Sequence, residues 1–214
     1  MKNRMLKGAH LSERKCREIL HYFCEDLTAT QIAAITSVSR VTVNAYLKLI
    51  RTRLAQFCED SFPTHQLPEN FVSIRGSLTG LPKTPYFGFT RYNGQVYATG
   101  LENITREHLL NWQKQHNGPV SGEMQTIHAV ADFNSWRLYR RDMLSAGTST
   151  NGDDISGFWG LTRNRLMKFR GVNRNTLYLH IKECEFRYNY RNENMQAKLI
   201  QLISKHPLHE AQMQ

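Results

Sequence analysis

The chain has 214 residues, and its 28 lysines and arginines outnumber its 18 aspartates and glutamates, which gives a formal net charge of +10 at pH 7. No apolar run approaches the length of a membrane-spanning helix, and residues 1–15 lack the apolar core of a signal peptide. The composition therefore argues against a membrane protein and predicts a soluble, intracellular protein with one small and one medium domain.

The positive charge is concentrated towards the two ends of the chain. Residues 1–60 carry a net charge of +4, residues 61–154 carry none, and residues 155–214 carry +6. Two basic segments around a neutral one suit a protein that holds a polyanion such as DNA in two places.

The four cysteines are spaced irregularly and include no CxxC pair. A zinc site is therefore not expected, and no disulfide framework is implied. The sequence predicts ordinary buried thiols at Cys16, Cys24, Cys58 and Cys184.

Helical patterns fill the N-terminal part of the chain. Residues 11–25 predict a first helix that begins near Ser12 and turns Ile19, Leu20 and Phe23 to its apolar side. With the two helices that follow, it makes a predicted three-helix domain over residues 1–60.

Residues 28–50, TATQIAAITSVSRVTVNAYLKLI, predict a second helix, a tight turn and a third helix. Thr28 or Thr30 can cap the second helix and Ser39 the third, while Ser37 stands in the turn, where glycine is common. This order is typical of a helix-turn-helix, in which the later helix enters the major groove of DNA. The residues predicted to face inward are Ile32, Ala33, Ile35, Val41, Val43 or Ala45, Tyr46, Leu47 and Ile50.

Three polar residues lie in the first turns of the predicted third helix and are candidates to meet base edges: Arg40, Thr42 and Asn44. Arginine favours guanine and asparagine favours adenine, because each pair can form two hydrogen bonds. The local pattern leaves one alternative open, a pair of core helices in a small bundle with no nucleic-acid role.

The middle of the chain combines a proline-rich segment with a strand pattern. Residues 61–84 are predicted to be an irregular linker or a poorly formed first strand. Two β-rich runs, YFGFTRY and QVYATGL, then flank Asn93-Gly94, the dipeptide that suits a type I′ hairpin. Residues 105–116 predict a helix, and residues 124–132 predict a buried strand.

The C-terminal part is predicted to be helical. Apolar residues recur at helical spacing over 155–169 and again over 177–188, where they mark a last amphipathic helix, with Gly171 between the two runs. Hairpin, helix, strand and helices predict an α/β or α+β domain, with a mixed sheet flanked by helices. A one-component regulator, with a DNA-binding domain followed by a ligand-sensing domain, would have a similar outline.

Residues 157–191, GFWGLTRNRLMKFRGVNRNTLYLHIKECEFRYNYR, resemble the C-terminal signature of small bacterial insertion-sequence transposases. Residues 11–51 and the hairpin 87–101 are similar to the same family, so the resemblance covers about two thirds of the chain. The residues that match the signature are Phe158, Trp159, Lys168, Phe169, Gly171, Tyr178, Lys182, Glu183, Cys184, Glu185, Arg187 and Asn189.

The resemblance implies a ribonuclease-H-like domain over residues 85–208 that cuts and rejoins double-stranded DNA at the ends of a mobile element. In this family, acidic side chains converge on two divalent ions, Mg²⁺ or Mn²⁺, which activate the nucleophile and stabilise the leaving oxygen. The resemblance also implies a bacterial cytoplasmic protein associated with the nucleoid, and a possible homo-oligomer in the DNA complex.

The acidic motifs of such transposases are altered in this chain, beginning with the first two. The region of the first acid reads PENFVSI, in which only Glu69 offers a carboxylate. The region of the second acid reads IHAVADFNSWRLY and offers Asp132, whereas an ungapped count back from Trp136 reaches Asn134. Asp132 also has a purely structural interpretation, as a strand-end carboxylate that makes a turn contact.

The third motif, STNGDDISGFW, is two residues longer than in the family and offers Asp153 and Asp154. An ungapped count back from Phe158 puts Ser156 at the position of the last acid and Asp153 at that of the family's asparagine. Both aspartates stand just ahead of a predicted helix, where the helix dipole favours carboxylates whether or not a metal is bound. The candidate catalytic residues are Glu69, Asp132, Asp153 and Asp154, of which Asp132 and Asp154 are the predicted metal ligands.

Further basic residues complete the predicted DNA contacts: Arg51, Arg163 and Lys168, with Arg163 placed to approach a phosphate. Glu183 and Glu185 are predicted to form salt bridges with Lys182 or Arg187, one carboxylate facing the sheet and the other facing solvent.

Three hypotheses follow from these observations. The first is an active transposase with displaced metal ligands. The second is a catalytically decayed or repurposed transposase that only binds DNA. The third is a regulator of unrelated origin, which the C-terminal signature argues against.

Overall fold

A computed structural model describes residues 11–62, 83–114, 127–140, 154–169 and 173–208. By its internal contacts the chain separates into two units. One joins the described residues of Met1–Phe57 with those of Tyr190–Gln214, and the other is Cys58–Asn189. The predicted ranges 1–60 and 85–208 divide the chain differently, since the segment after Asn189 groups with the N-terminal helices. The predicted linker, residues 61–84, lies largely outside the described residues.

The first helix of the N-terminal unit, α1, spans Glu13–Cys24, as predicted. Ser12 caps it by accepting a hydrogen bond from the backbone N–H of Lys15. Its buried side chains are Cys16, Ile19, Leu20 and Phe23.

Two more helices follow where the sequence predicts them, α2 at Ala29–Thr36 and α3 at Arg40–Asp60. Thr28 and Gln31 form a capping box at the start of α2, in which each side chain accepts a hydrogen bond from the backbone N–H of the other residue. Ser37 ends α2 in the left-handed conformation, with φ +55° and ψ +30°, which explains why glycine suits this position. Ser39 then caps α3 by accepting from Thr42 N at 3.1 Å.

The inward faces of α2 and α3 differ from the prediction at two positions. Ile35 is 52% exposed and Val41 is 80% exposed, although both were predicted to face inward. On α2, Thr36 takes the inward position one turn after Ile32, and its hydroxyl donates to the Ile32 carbonyl oxygen at 2.7 Å. On α3, Val41 is two residues, or about 200°, from Val43 and therefore points away from the buried stripe. That stripe consists of Val43, Tyr46, Leu47, Ile50 and Leu54.

A helix near the C-terminus, here called α7 and spanning Met195–Lys205, belongs to the same unit. Asn194 caps it by accepting from Ala197 N at 2.9 Å, and it buries Leu199, Leu202 and Ile203. The sequence analysis predicted that the helix over 177–188 is the last one, and this prediction was wrong because α7 follows it. The i, i+3, i+4 spacing of the three buried residues is the signal that would have found α7.

The second unit is built on a four-stranded sheet in the described residues. Its strands are β1 (Tyr86–Tyr92), β2 (Gln95–Gly100), β3 (Ala129–Asp132) and β4 (Arg137–Arg140), in the order β2-β1-β3-β4.

The predicted hairpin is confirmed: Tyr92 pairs with Gln95, and Asn93 and Gly94 have φ of +47° and +74°. Every described pair is antiparallel, so the prediction of a mixed sheet is wrong for these strands. The connections of two and four residues within β1–β2 and β3–β4 are too short for a parallel crossover.

Three helices flank this sheet: α4 (Arg106–Lys114), α5 (Asp154–Lys168) and α6 (Arg174–Asn189). Helix α4 packs on one face through a cluster that includes Leu109 and Trp112. On the other face, the rings of β1 meet those of the C-terminal helices, Phe87 near Tyr178 and Phe89 near Phe158. Residues 177–188 of α6 are all buried. No helix of the described residues is long and apolar enough to cross a membrane.

The left-handed turn at Ser37 leads to a stability prediction. A residue with a Cβ is strained at φ +55°, so Ser37→Gly is expected to raise the free energy of unfolding by about 0.5–1 kcal/mol. Urea denaturation followed by circular dichroism measures this change. Ser12→Gly is the matched control, because Ser12 has φ −64° and the substitution there removes a capping side chain. A Ser37→Gly variant less stable than the wild type would refute the strain assignment.

Candidate functional site

The first turns of α3 present polar side chains on the surface of the N-terminal unit. Arg40 and Asn44 are exposed, as a role in reading bases requires. Thr42 is half-buried, and its hydroxyl lies 2.8 Å from the Ser39 hydroxyl, so it takes part in the helix cap. Of the three predicted base-reading residues, the structure therefore leaves Arg40 and Asn44 most accessible.

The segment around these residues is basic. Residues 28–58 contain Arg40, Lys48, Arg51 and Arg53 but no aspartate or glutamate. Arg53 is buried and donates to the Pro207 carbonyl oxygen at 2.7 Å.

Arg51, a predicted DNA contact, is half-buried, and its guanidinium lies 5.9 Å from the centre of the Phe23 ring. Lys48 is exposed one turn after Asn44, and the sequence-based prediction missed it although the i, i+4 spacing from Asn44 indicates it.

Asp132, the first predicted metal ligand, is buried at the end of β3, where its carboxylate holds the β3–β4 turn. Its Oδ1 accepts from the backbone N–H groups of Asn134 at 2.8 Å and Ser135 at 3.3 Å. Its Oδ2 accepts from the Ser135 hydroxyl at 2.6 Å. This arrangement matches the structural alternative for Asp132, a strand-end carboxylate that makes turn contacts.

Asp154, the second predicted ligand, is the first residue of α5, and protein groups also contact both of its oxygens. Oδ2 forms an ion pair with Arg91 at 3.0 Å, and Oδ1 accepts from the Tyr188 hydroxyl at 3.2 Å.

The two aspartates are associated with opposite ends of β1. Asp132 pairs with Tyr86, whereas Asp154 contacts the side chain of Arg91, and these two β1 residues are roughly 17 Å apart along an extended strand. The ions of a two-metal centre lie roughly 4 Å apart. This placement gives no support to a metal centre shared by Asp132 and Asp154.

The other two candidate acids, Glu69 and Asp153, lie outside the described residues. Within the part of the chain that the structure describes, no three histidine, cysteine, aspartate or glutamate side chains are placed to hold a metal ion. The described acids thus give no support to the predicted Mg²⁺ or Mn²⁺ site.

Helix α5 has an exposed basic face that includes the remaining predicted DNA contacts. Arg163 and Lys168 are both exposed, together with Asn164 and Met167. This face lies on the side of α5 away from Phe158 and Leu166, which are buried. The placement is compatible with contacts to DNA phosphates.

Helix α6 carries a buried ionic network around Glu183, which the sequence-based prediction described only in part. Glu183 is fully buried and forms ion pairs with Arg165 of α5 and, at 3.0 Å, with Arg187 of α6. The prediction of a salt bridge between a glutamate and Arg187 is confirmed. The prediction that one of the two glutamates faces solvent is wrong, because Glu183 is 0% and Glu185 1% exposed.

A second buried network surrounds Lys182. Its ammonium nitrogen lies 2.8 Å from Glu59 and 3.0 Å from Glu185. Glu185 also accepts from the backbone N–H of Ala98 in β2 at 2.9 Å, and the Tyr178 hydroxyl donates to Glu59.

Burial by itself would lower the pKa of Lys182, but the carboxylates of Glu185 and Glu59 outweigh it and raise that pKa well above its ordinary value. Lys182 therefore stays cationic, and the network serves to hold α6 in place.

Comparison of the chain with protein-family models, with curated proteins and with solved structures finds no match. The resemblance to insertion-sequence transposases thus depends on the matched residues of α5, α6, the hairpin and the N-terminal helices.

The contacts of Asp132 lead to a prediction about stability. Asp132→Ala removes the three hydrogen bonds of the β3–β4 turn and is expected to lower the free energy of unfolding by about 1–3 kcal/mol. Asp132→Asn keeps the Oδ1 acceptor and is expected to lose less stability. Ser135→Ala is the control for the single hydroxyl contact. Urea denaturation of the three variants provides the comparison. An Asp132→Ala variant as stable as the wild type would contradict the structural role of Asp132 in the turn and would favour its role as a metal ligand.

Proposed function

We propose that this protein binds double-stranded DNA through α2, the turn and α3, and that it is related to insertion-sequence transposases. The observation that carries the proposal is the division of α3 into two faces. One face buries Val43, Tyr46 and Leu47 in the N-terminal unit. Asn44 lies outside that face and is exposed, and Arg40, the first residue of the helix, is exposed as well.

Three physical features favour DNA as the partner of this face. The side chain of Ser39 caps α3 and so stabilises the first turn, which carries Arg40. The N-terminus of a helix carries a partial positive charge, which favours phosphate nearby. Residues 28–58 contain no acidic side chain, and Arg40 and Lys48 are exposed among their basic ones, so the local charge favours a polyanion.

The exposed basic face of α5 is proposed as a second contact with DNA. Arg163 and Lys168 would meet phosphates, which adds affinity without sequence preference. We propose further that the DNA is the end of a mobile element, bound in the bacterial cytoplasm by a homo-oligomer. The transposase resemblance supports these points.

Metal-dependent strand cleavage and transfer, the reaction that the resemblance implies, stays a prediction. Asp132 and Asp154 use both carboxylate oxygens in protein contacts at opposite ends of β1. Between the two transposase hypotheses, this observation favours a decayed or repurposed protein that acts by binding DNA.

The DNA-reading face predicts the effect of two substitutions. Arg40→Ala and Asn44→Ala are each expected to relax base preference at one position of the bound sequence, by roughly 1–3 kcal/mol. Selection from random duplexes followed by sequencing measures the preference. Asn111→Ala is the matched control, since Asn111 is an exposed asparagine on α4. An unchanged preference in both α3 variants would contradict the assignment of α3 as the reading helix.

The protein contacts of Asp132 and Asp154 predict the outcome of a cleavage assay. The protein is incubated with a supercoiled plasmid that carries its own flanking genomic DNA, in Mg²⁺, in Mn²⁺ and in EDTA. We expect the plasmid to be bound but not nicked in any of the three, because the described acids do not converge. Metal-dependent nicking that Asp132→Ala abolishes would overturn this expectation and place Asp132 at a metal.

A further inference from the structure

Val41 is an apolar side chain in an unusual setting. It is 80% exposed, between Arg40 and Thr42 in the first turn of α3. Isolated exposed valines are common, but this one begins an exposed stripe along the helix rather than standing alone. The other members, at i+3, i+4 and i+7, are Asn44, Ala45 and Lys48.

Among the described residues of the N-terminal unit, this stripe is exposed and packs against no neighbouring helix. The buried residues of α3 lie on the opposite face, about 200° from Val41. The stripe therefore combines two apolar side chains, one amide and one cation on an accessible surface.

The charge around the stripe indicates what covers it. Arg40 and Lys48 are exposed at its two ends, and residues 28–58 contain no acidic side chain. A second copy of the same surface would bring like charges together, whereas the major groove of DNA offers phosphates at its rims and base edges within. Duplex DNA complements both the charge and the mixed polarity of the stripe.

We propose that Val41 contacts the 5-methyl group of a thymine, next to the base that Asn44 reads, so that the bound sequence has A·T pairs beneath the first turns of α3. This inference rests on the proposed function. In the major groove only thymine presents a methyl group, and apolar side chains meet it there. Asn44 suits the adenine N6 and N7 positions, so Val41 and Asn44 together select A·T pairs.

The test removes the thymine methyl group and the methyl groups of Val41 in separate experiments. The duplex that the full chain prefers is first obtained by selection from random sequences. Each thymine of that duplex is then replaced in turn by deoxyuridine, which lacks only the 5-methyl group, and Kd is measured by fluorescence anisotropy for the wild type and for Val41→Ala. Leu110→Ala, at an exposed leucine of α4, is the matched control.

For the wild type we expect deoxyuridine to raise Kd about fourfold at one or two positions, the change that about 0.8 kcal/mol for a buried methyl corresponds to. In Val41→Ala the ratio at those positions is expected to fall to about one, while Leu110→Ala keeps the wild-type ratio.

Other outcomes would overturn the inference, and they are distinguishable. Sequence-specific binding without a deoxyuridine effect at any position, or with an effect that Val41→Ala retains, would overturn the thymine contact and leave DNA binding intact. Binding to duplexes without any sequence preference would likewise overturn the thymine contact. Failure to bind any duplex would refute the proposed function itself. Sedimentation of the free protein that shows a dimer lost in Val41→Ala would assign the stripe to a second copy of the chain.

Discussion

The second unit depends on the pairing of charges that are buried with α6. A helix buried on every side would ordinarily be apolar, yet α6 carries Lys182, Glu183, Glu185 and Arg187 at exposures below 10%. A buried charge without a partner costs several kcal/mol, so each of these groups restricts where its neighbours can lie. Glu185 connects α6 to the backbone of β2, and Glu183 connects it to α5 through Arg165. The same requirement explains why residues of the C-terminal signature, including Lys182 and both glutamates, are structural here.

The acids considered for catalysis are under a similar constraint. Asp132 closes the β3–β4 turn, and Asp154 joins the start of α5 to β1 through Arg91. These contacts give both carboxylates a structural role in the protein. Both aspartates therefore join neighbouring parts of the second unit, Asp132 within the β3–β4 turn and Asp154 between α5 and β1.

The N-terminal unit shows how local chemistry prepares a surface. The capping box at Thr28, the left-handed Ser37 and the cap at Ser39 determine where α2 ends and α3 begins. Because burial of Val43, Tyr46 and Leu47 sets the rotation of α3, the opposite face necessarily presents Val41 and Asn44. The accessible stripe is a consequence of packing on the other side of the helix.

Local structure in this protein follows from the sequence by itself wherever short-range interactions decide it. The helices α1, α2 and α3, their serine and threonine caps and the Asn93-Gly94 hairpin were all predictable, because capping, helical periodicity and positive φ act over a few residues. The tertiary structure decided what depends on distant partners. It turned Val41 outward, buried both Glu183 and Glu185, grouped α7 with the N-terminal helices, and engaged Asp132 and Asp154 within the protein. Which face of a helix is buried, and which partner neutralises a charge, depend on elements far apart in the chain, and no local pattern encodes those contacts.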